Sequence, residues 1–335
     1  MEKSSKAEEG KMTKVKWGII GVGDVTEVKS GPAFNKVENS EIVMVMRRNL
    51  NKAKDYAKRH GISAYTNNAE EILNNPEINA IYISTPPSSH AEYTIAAANA
   101  KKHVYVEKPM AVSFDQCQKM NEACKQNGVK LFVAYYRREL DYFKKVKELI
   151  DYGEIGDVKL VDIKFLTAPK KDDYNPENLP WRVNPKIAGA GYFYDLASHQ
   201  FDFLDYLIGP IKSAKGNAAN QLNLYSVEDT VTASFSTENN ILGVGSWAFT
   251  LENMKEIDCT EIIGSKGKIT FSFFNETPIR VHKRKTIEEI NIPYPKHVQQ
   301  QLINSVVNDI LGYKQCVSTG SSALRTNRVL ENILH

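Results

Sequence analysis

No run of apolar residues in this chain approaches the roughly 18 that cross a bilayer, so no membrane-spanning helix is expected. Paired cysteines are missing too. The four present, Cys117, Cys124, Cys259 and Cys316, lie far apart or along one expected helix, with no CxxC or other metal-ligand spacing. That sets aside a disulfide framework and leaves free thiols in a reducing compartment, the cytoplasm, as the expectation. Charge of one sign is scarce: 43 Lys and Arg face 40 Asp and Glu, and a net of +3 falls well short of the footprint of a nucleic-acid binder. Residues 1–14 hold no apolar stretch of the kind a secretory signal needs, and they read as a polar, disordered tail.

What is present is enough for two cores. A length of 335 residues, 42% of them hydrophobic, exceeds what one core usually fills, and a change of texture divides the chain into 15–137 and 138–335. In the first part, short β-rich runs alternate with stretches of helical period, the pattern of βα units that build a parallel sheet. Strands are expected at 15–20, 42–46, 80–84, 104–106 and 131–134, with a weaker one near Ala64. Asn49 caps a helix closed by Gly61, and Ser113 with Gln116 makes a capping box on a helix closed by Gly128. After a linking helix over 139–150, alternating runs at 158–166, 230–236, 242–249 and 268–273 predict a larger, mainly antiparallel sheet with one face covered. Further helices are expected at 195–207, 297–311 and 321–333.

The first strand runs into GIIGVGDVT, residues 18–26. Gly21 suits the tight strand-to-helix turn, Gly23 lets backbone approach a pyrophosphate, and Asp24 and Val25 open a helix whose free amides face an anion. Thr26 stands where the fingerprint usually has Gly or Ala, and a glycine turn of this kind also occurs without any ligand. Pro32 predicts a short first helix, a break and a restart. After the second strand comes Arg47-Arg48 in place of the acid that binds ribose hydroxyls. A guanidinium there can grip a 2′-phosphate, which favours NADP and leaves NAD possible, although two solvated arginines fit the same residues.

Two further segments sit at carboxyl ends of parallel strands, the edge where open α/β sheets bind ligands. One contains Thr85, Pro86 and His90, and the other is Glu107-Lys108-Pro109. Lys108 can aim its ammonium at a substrate oxygen, though an isolated Glu-Lys-Pro reads more readily as a surface turn. In the second half, Asp195 and His199 are four apart, on one helical face, where the carboxylate can orient the imidazole. A capping acid and a surface histidine fit the spacing as well. With no third ligand at supporting spacing, a metal is not expected.

In their order along the chain, GIIGVGDV, STPPSSH, HVYVEKP, VAYYRR, EIGDV and GAGYFYDLASHQFD make this sequence resemble the Gfo/Idh/MocA family of glucose-fructose oxidoreductase and inositol dehydrogenase. The resemblance implies an α/β fold: a Rossmann doubly wound parallel sheet, then an α+β domain with an open sheet that binds substrate and pairs with copies of itself, as a homodimer or homotetramer. It implies Lys108 as the motif lysine, Asp195 and His199 as an acid and base pair, and Gly21, Gly23 and Asp24 as the pyrophosphate turn. Tyr136, Arg137, Trp181 and Arg182 match positions that line the cofactor and substrate cleft, with core packing an equal reading for Tyr136 and Trp181. The expected activity is hydride transfer between NADP or NAD and a sugar or polyol. The family also contains reductases of dihydrodiols or tetrapyrroles and NAD-dependent glycoside hydrolases, and a catalytically silent NAD(P)-binding regulator stays open at this point.

Overall fold

The computed structural model describes residues 12–335, so most of the expected tail lies outside the described residues. Residues 12–14 lie against the first domain, with Met12 packed on its core and the Lys14 carbonyl accepting from Asn79.

The first sheet is formed by β1 (Val15–Ile20), β2 (Ser40–Met46), β3 (Ala64–Thr66), β4 (Ala80–Ile83), β5 (His103–Val106) and β6 (Leu131–Val133). All pairs are parallel and the order is β3-β2-β1-β4-β5-β6. Chain direction across the sheet reverses between β1 and β4, so the loops leaving these two strands part to opposite faces and open a crevice. The helices that cover the sheet are α1 (Asp24–Val28), α2 (Gly31–Phe34), α3 (Leu50–His60), α4 (Ala69–Leu73), α5 (His90–Asn99) and α6 (Phe114–Gln126). The break at Gly31-Pro32 is present, with proline in the first turn of α2. Asn49 accepts from Lys52 at 3.0 Å, Ser113 accepts from Gln116 at 3.3 Å, and Gly61 and Gly128 close their helices at positive φ.

Helix α7 (Asp141–Asp151) leads to β7 (Val158–Leu166), and a short helix, α8 (Pro185–Ala188), and a long one, α9 (Gly191–Ile208), follow. The second sheet is completed by β8 (Ile211–Ala219), β9 (Thr230–Thr237), β10 (Leu242–Ala248), β11 (Ile257–Gly264), β12 (Gly267–Phe271), β13 (Ile279–Lys283) and β14 (Thr286–Ile290). Its order is β14-β13-β12-β11-β7-β10-β9-β8, antiparallel except for β7 beside β10. The inner face packs on α7 and α9, where Phe143, Phe193, Phe201 and Phe203 meet Trp247, Phe271 and Phe273. Burying an aromatic or large aliphatic side chain there contributes about 1.5–3 kcal/mol each.

Two expectations are corrected. Helix α9 begins at Gly191, four residues before the expected start, so Asp195 lies inside it and is no cap. The second domain does not run unbroken to the end of the chain: in α10 (Gln300–Ile310), Leu302, Ile303, Val306 and Val307 join Trp17, Phe34 and Val45 in the first domain's core. The apolar stripe that announces such a helix is silent about which sheet it will cover. Helix α11 (Gly320–Leu334) spans the junction, with Ala323 in the first domain's core and Leu330 and Ile333 in the second's. Several buried polar groups on α9 are matched: the Gln200 carbonyl oxygen accepts from Trp247 at 2.6 Å, Asp202 takes both arms of Arg138, and Asp205 takes Arg325, whereas Gln200 Nε2 and His199 Nδ1 find no partner among the described residues. No described helix is long and apolar enough to cross a membrane.

Candidate functional site

Gly21 sits at φ +101°, and a Cβ there would lie 2.8 Å from the Thr85 nitrogen and 2.6 Å from its methyl group. The turn after β1 is therefore restricted to glycine both by conformation and by the loop after β4 pressed against it. Gly23 is different: nothing comes nearer than 3.9 Å to where its Cβ would stand, which leaves an open cradle. Thr26, the departure from the fingerprint, is buried, and its hydroxyl accepts from the Gly23 N–H at 2.9 Å and donates to the Gly23 carbonyl at 2.8 Å. It thus stiffens the turn from within. The N–H groups of Asp24 and Val25 open α1 without acceptors, as first-turn amides do. Cradle and free amides together fit the pyrophosphate of a dinucleotide. The side chains of Arg47 and Arg48, at the end of β2, make no hydrogen bond or ion pair among the described residues, and both reach solvent.

Two first-domain residues expected to touch cofactor face inward instead. His90 is buried, with Nε2 2.7 Å from the Thr85 carbonyl and Nδ1 3.0 Å from that of Pro109. It ties the loop after β4 to the loop after β5, and burial pushes its pKa down. Glu107 is likewise buried, and one carboxylate oxygen takes both the Tyr82 hydroxyl and the Gln299 amide at 2.6 Å. Gln299, just before α10, also accepts from Tyr105 at 2.8 Å. The C-terminal segment thereby buttresses the residue preceding Lys108, and nothing in sequence spacing signals that link. Thr85 and Pro86 remain at the lip of the crevice, half-buried.

Lys108 reaches across the domain junction. Its Nζ donates to Oδ1 of Asp195 at 2.5 Å and to the Asp195 carbonyl at 3.0 Å, while Arg182 holds Oδ2 through Nε at 3.3 Å. Burial works against the charge of Asp195, but Lys108 and Arg182 outweigh it and hold the carboxyl below its usual range. The expected pairing of Asp195 with His199 is therefore corrected, because the carboxylate points to the two cations and Nδ1 of His199 is enclosed without any partner. The His199 ring is walled by Tyr135, Tyr136 and Phe274, with centroids 5.9, 5.4 and 6.2 Å away. Burial first, and then the charges of Arg137, Lys108 and Lys29, push its pKa well below the ordinary value, so the imidazole is neutral.

Arg137, expected to line the cofactor and substrate cleft, is buried, donates Nε and Nη2 to the Phe273 carbonyl at 3.0 and 2.8 Å, and lies between Tyr136 and Phe274, which makes it part of the wall behind His199. Tyr136 keeps an edge on the cleft, half-buried, and Trp181 is exposed beneath the Arg182 guanidinium at 4.4 Å. Lys108 and His199 thus meet the same helix one turn apart, about 6 Å along its axis. A surface cavity of about 840 Å³, lined by Asn121, Lys130, Asp309 and Tyr313 among others, lies at the amino-terminal end of β6, away from this chemistry.

Residues 15–135 match the family described as oxidoreductase family, NAD-binding Rossmann fold, and residues 143–270 match the GFO/IDH/MocA C-terminal domain. Oxidoreductase P35 of Formosa agariphila is 40% identical over 319 residues, 95% of this chain and 98% of that protein. The 1,5-anhydro-D-fructose reductase of Ensifer adhaerens is 25% identical over 315 residues, 92% of each. Among solved structures, levoglucosan dehydrogenase in complex with NADH and levoglucosan aligns with a TM-score of 0.81 over 96% of both chains at 22% identity, a likeness of fold.

Proposed function

This chain belongs to the Gfo/Idh/MocA family of oxidoreductases, with an NAD-binding Rossmann fold in its first half, and from that premise we propose that it transfers a hydride between NADP and a sugar, polyol or related carbonyl compound. Gly21, Gly23 and the amides of Asp24 and Val25 would hold the pyrophosphate, with Thr85 and Pro86 along the lip. Arg47 and Arg48, uncommitted among the described residues, would take the 2′-phosphate, which is why NADP is favoured over NAD. When bound, the nicotinamide supplies or accepts the hydride.

The observation that carries this reading is the junction of Lys108 with α9. Asp195 fixes the Lys108 ammonium in place, so Lys108 stabilises negative charge developing on the reacting oxygen. His199, neutral and with an unused hydrogen-bonding capacity, exchanges the proton with that oxygen. Asp195 serves Lys108 and leaves His199 to be held by its aromatic walls. The sugar names of relatives such as 1,5-anhydro-D-fructose reductase support a carbohydrate substrate. Leu242 and Val244, exposed side by side on the outer face of β10, suit contact with a second copy, as a homodimer or homotetramer.

Lys108→Met tests the assignment. Oxidation or reduction of sugars, followed by nicotinamide absorbance, should fall on the order of 10³-fold, while NADPH affinity by fluorescence titration stays unchanged. Activity at the parent level would remove Lys108 from the reaction.

A further inference from the structure

The second-domain wall of the cleft has used up its acceptors and kept donors to spare. Asp195 is occupied by Lys108 and Arg182, and the buried Asp173 takes the Tyr192 hydroxyl at 2.6 Å on one oxygen and the Lys170 main-chain N–H at 2.7 Å on the other. The Lys170 ammonium, in contrast, lies 4.2 Å from the centroid of the Tyr192 ring and makes no hydrogen bond or ion pair among the described residues. Arg182 commits only Nε to Asp195 and rests on Trp181, which leaves its terminal amino groups without an acceptor among the described residues. Tyr192 precedes Asp195 by three residues on α9, so the free ammonium stands over the same helix turn that receives Lys108.

Cations crowded into a partly buried site lose hydration and repel one another, and an incoming anion repairs both. Lys170 is open to solvent along its length, so an anion can reach it, while the protein packed near its ammonium and then the charge of Arg182 push its pKa down. We propose that Lys170 and Arg182 form a subsite for an anionic substituent, so that the sugar or polyol handled at Lys108 carries a carboxylate, sulfate or phosphate group away from its reacting carbon. The subsite rests on the reading of Lys108 and His199 as the reacting centre. It gives that centre a substrate class, acidic carbohydrates, and a device for register, since two donors that fix one end of a flexible polyol decide which hydroxyl meets Lys108. Both residues sit in the 170–182 segment ahead of α9.

The test is a matched panel of hexuronates, hexonates, hexose 6-sulfates and hexose 6-phosphates, each against its neutral hexose or hexitol. Binding to the NADP-loaded protein is measured by calorimetry and turnover by absorbance, for the parent, Lys170→Met and Lys170→Arg. At least one anionic compound should bind about tenfold or more tightly than its neutral partner, Lys170→Met should erase that margin while leaving neutral compounds within about twofold, and Lys170→Arg should restore most of it. The arm that responds identifies carboxylate, sulfate or phosphate. A panel with no anionic preference, or a Lys170→Met loss shared equally by charged and neutral members, overturns the subsite. Anion-selective binding without hydride transfer keeps the subsite and sinks the redox reading; transfer to neutral sugars indifferent to Lys170 does the reverse.

Discussion

His90 and His199 are buried imidazoles from the two sides of the same cleft, and their surroundings are opposite. His90 is enclosed by main-chain carbonyls on both sides of its ring, so whichever nitrogen carries the proton donates to one of them and its task is to hold two loops together. His199 is enclosed by aromatic rings, with Nδ1 left unpaired among the described residues beside the equally unpaired Nε2 of Gln200, while the charged groups of α9 are matched. Leaving such a group unsatisfied costs about 1–3 kcal/mol, a cost the fold bears where a ligand completes the bond. The first domain's wall around His90 is thus held together through backbone carbonyls, while the second domain's wall is built from charged and aromatic side chains that still have bonds to make.

The sharpest way to break this contrast is to exchange the roles of the two histidines by mutation. His199→Asn should lower turnover about 10²-fold with little change in melting temperature, because only a proton-exchanging group is lost. His90→Ala should instead destabilise the fold by about 3 kcal/mol, read in denaturant melts, and reduce activity only in step with the unfolded fraction. If His90→Ala proved stable and inactive, the division between the two walls would fail.

A smaller effect sharpens the contrast on the first-domain side, where the uncommitted arginines are the exception to a wall held through backbone carbonyls. Arg47→Asp should shift preference from NADPH towards NADH about tenfold in the ratio of kcat/KM, with kcat for the preferred cofactor preserved. An unchanged ratio would return Arg47 to plain solvation.

The smallest effect concerns pH. Burial and nearby cations depress the pKa of folded His199, whereas the unfolded chain titrates near 6.5. As pH falls below about 6.5 the unfolded state takes up protons that the folded state refuses, so stability declines on the acid side and is unaffected above it. His90 is depressed in the same direction, and so is His103, by burial, to about 4. Replacing His199 alone should flatten part of that acid-side decline in melts between pH 7 and 5, and an identical slope in His199→Asn would show that its folded pKa is ordinary.

The first domain was readable because its signals are local. The bounds of β1, the caps of α3 and α6, the restart at Pro32 and the glycine turn each depend on residues within a few positions of one another. The site residues were readable as identities and misread as partnerships. Spacing of four correctly placed Asp195 and His199 on one helix, but side-chain direction was decided by Lys108, 87 positions earlier, which outcompetes a neutral imidazole for the carboxylate. Glu107 was turned inward by Gln299, 192 positions later, and Arg137 by the Phe273 carbonyl. Thr26 looked like a defect in the fingerprint and is a hydroxyl that completes the turn. For Asp195, Glu107 and Arg137 the missing information was a contact through space between distant segments, whereas the Thr26 contact is local, three residues from Gly23.

The account stands most heavily on the union of Lys108 with Asp195 as the centre of the reaction. Single-turnover hydride transfer, followed by stopped-flow absorbance in the parent, Lys108→Met, Asp195→Asn and the double variant, tests it directly. The double variant should be no slower than Lys108→Met alone, since Asp195 acts by holding the ammonium. Losses that multiply would show the two side chains working independently and contradict the arrangement described here.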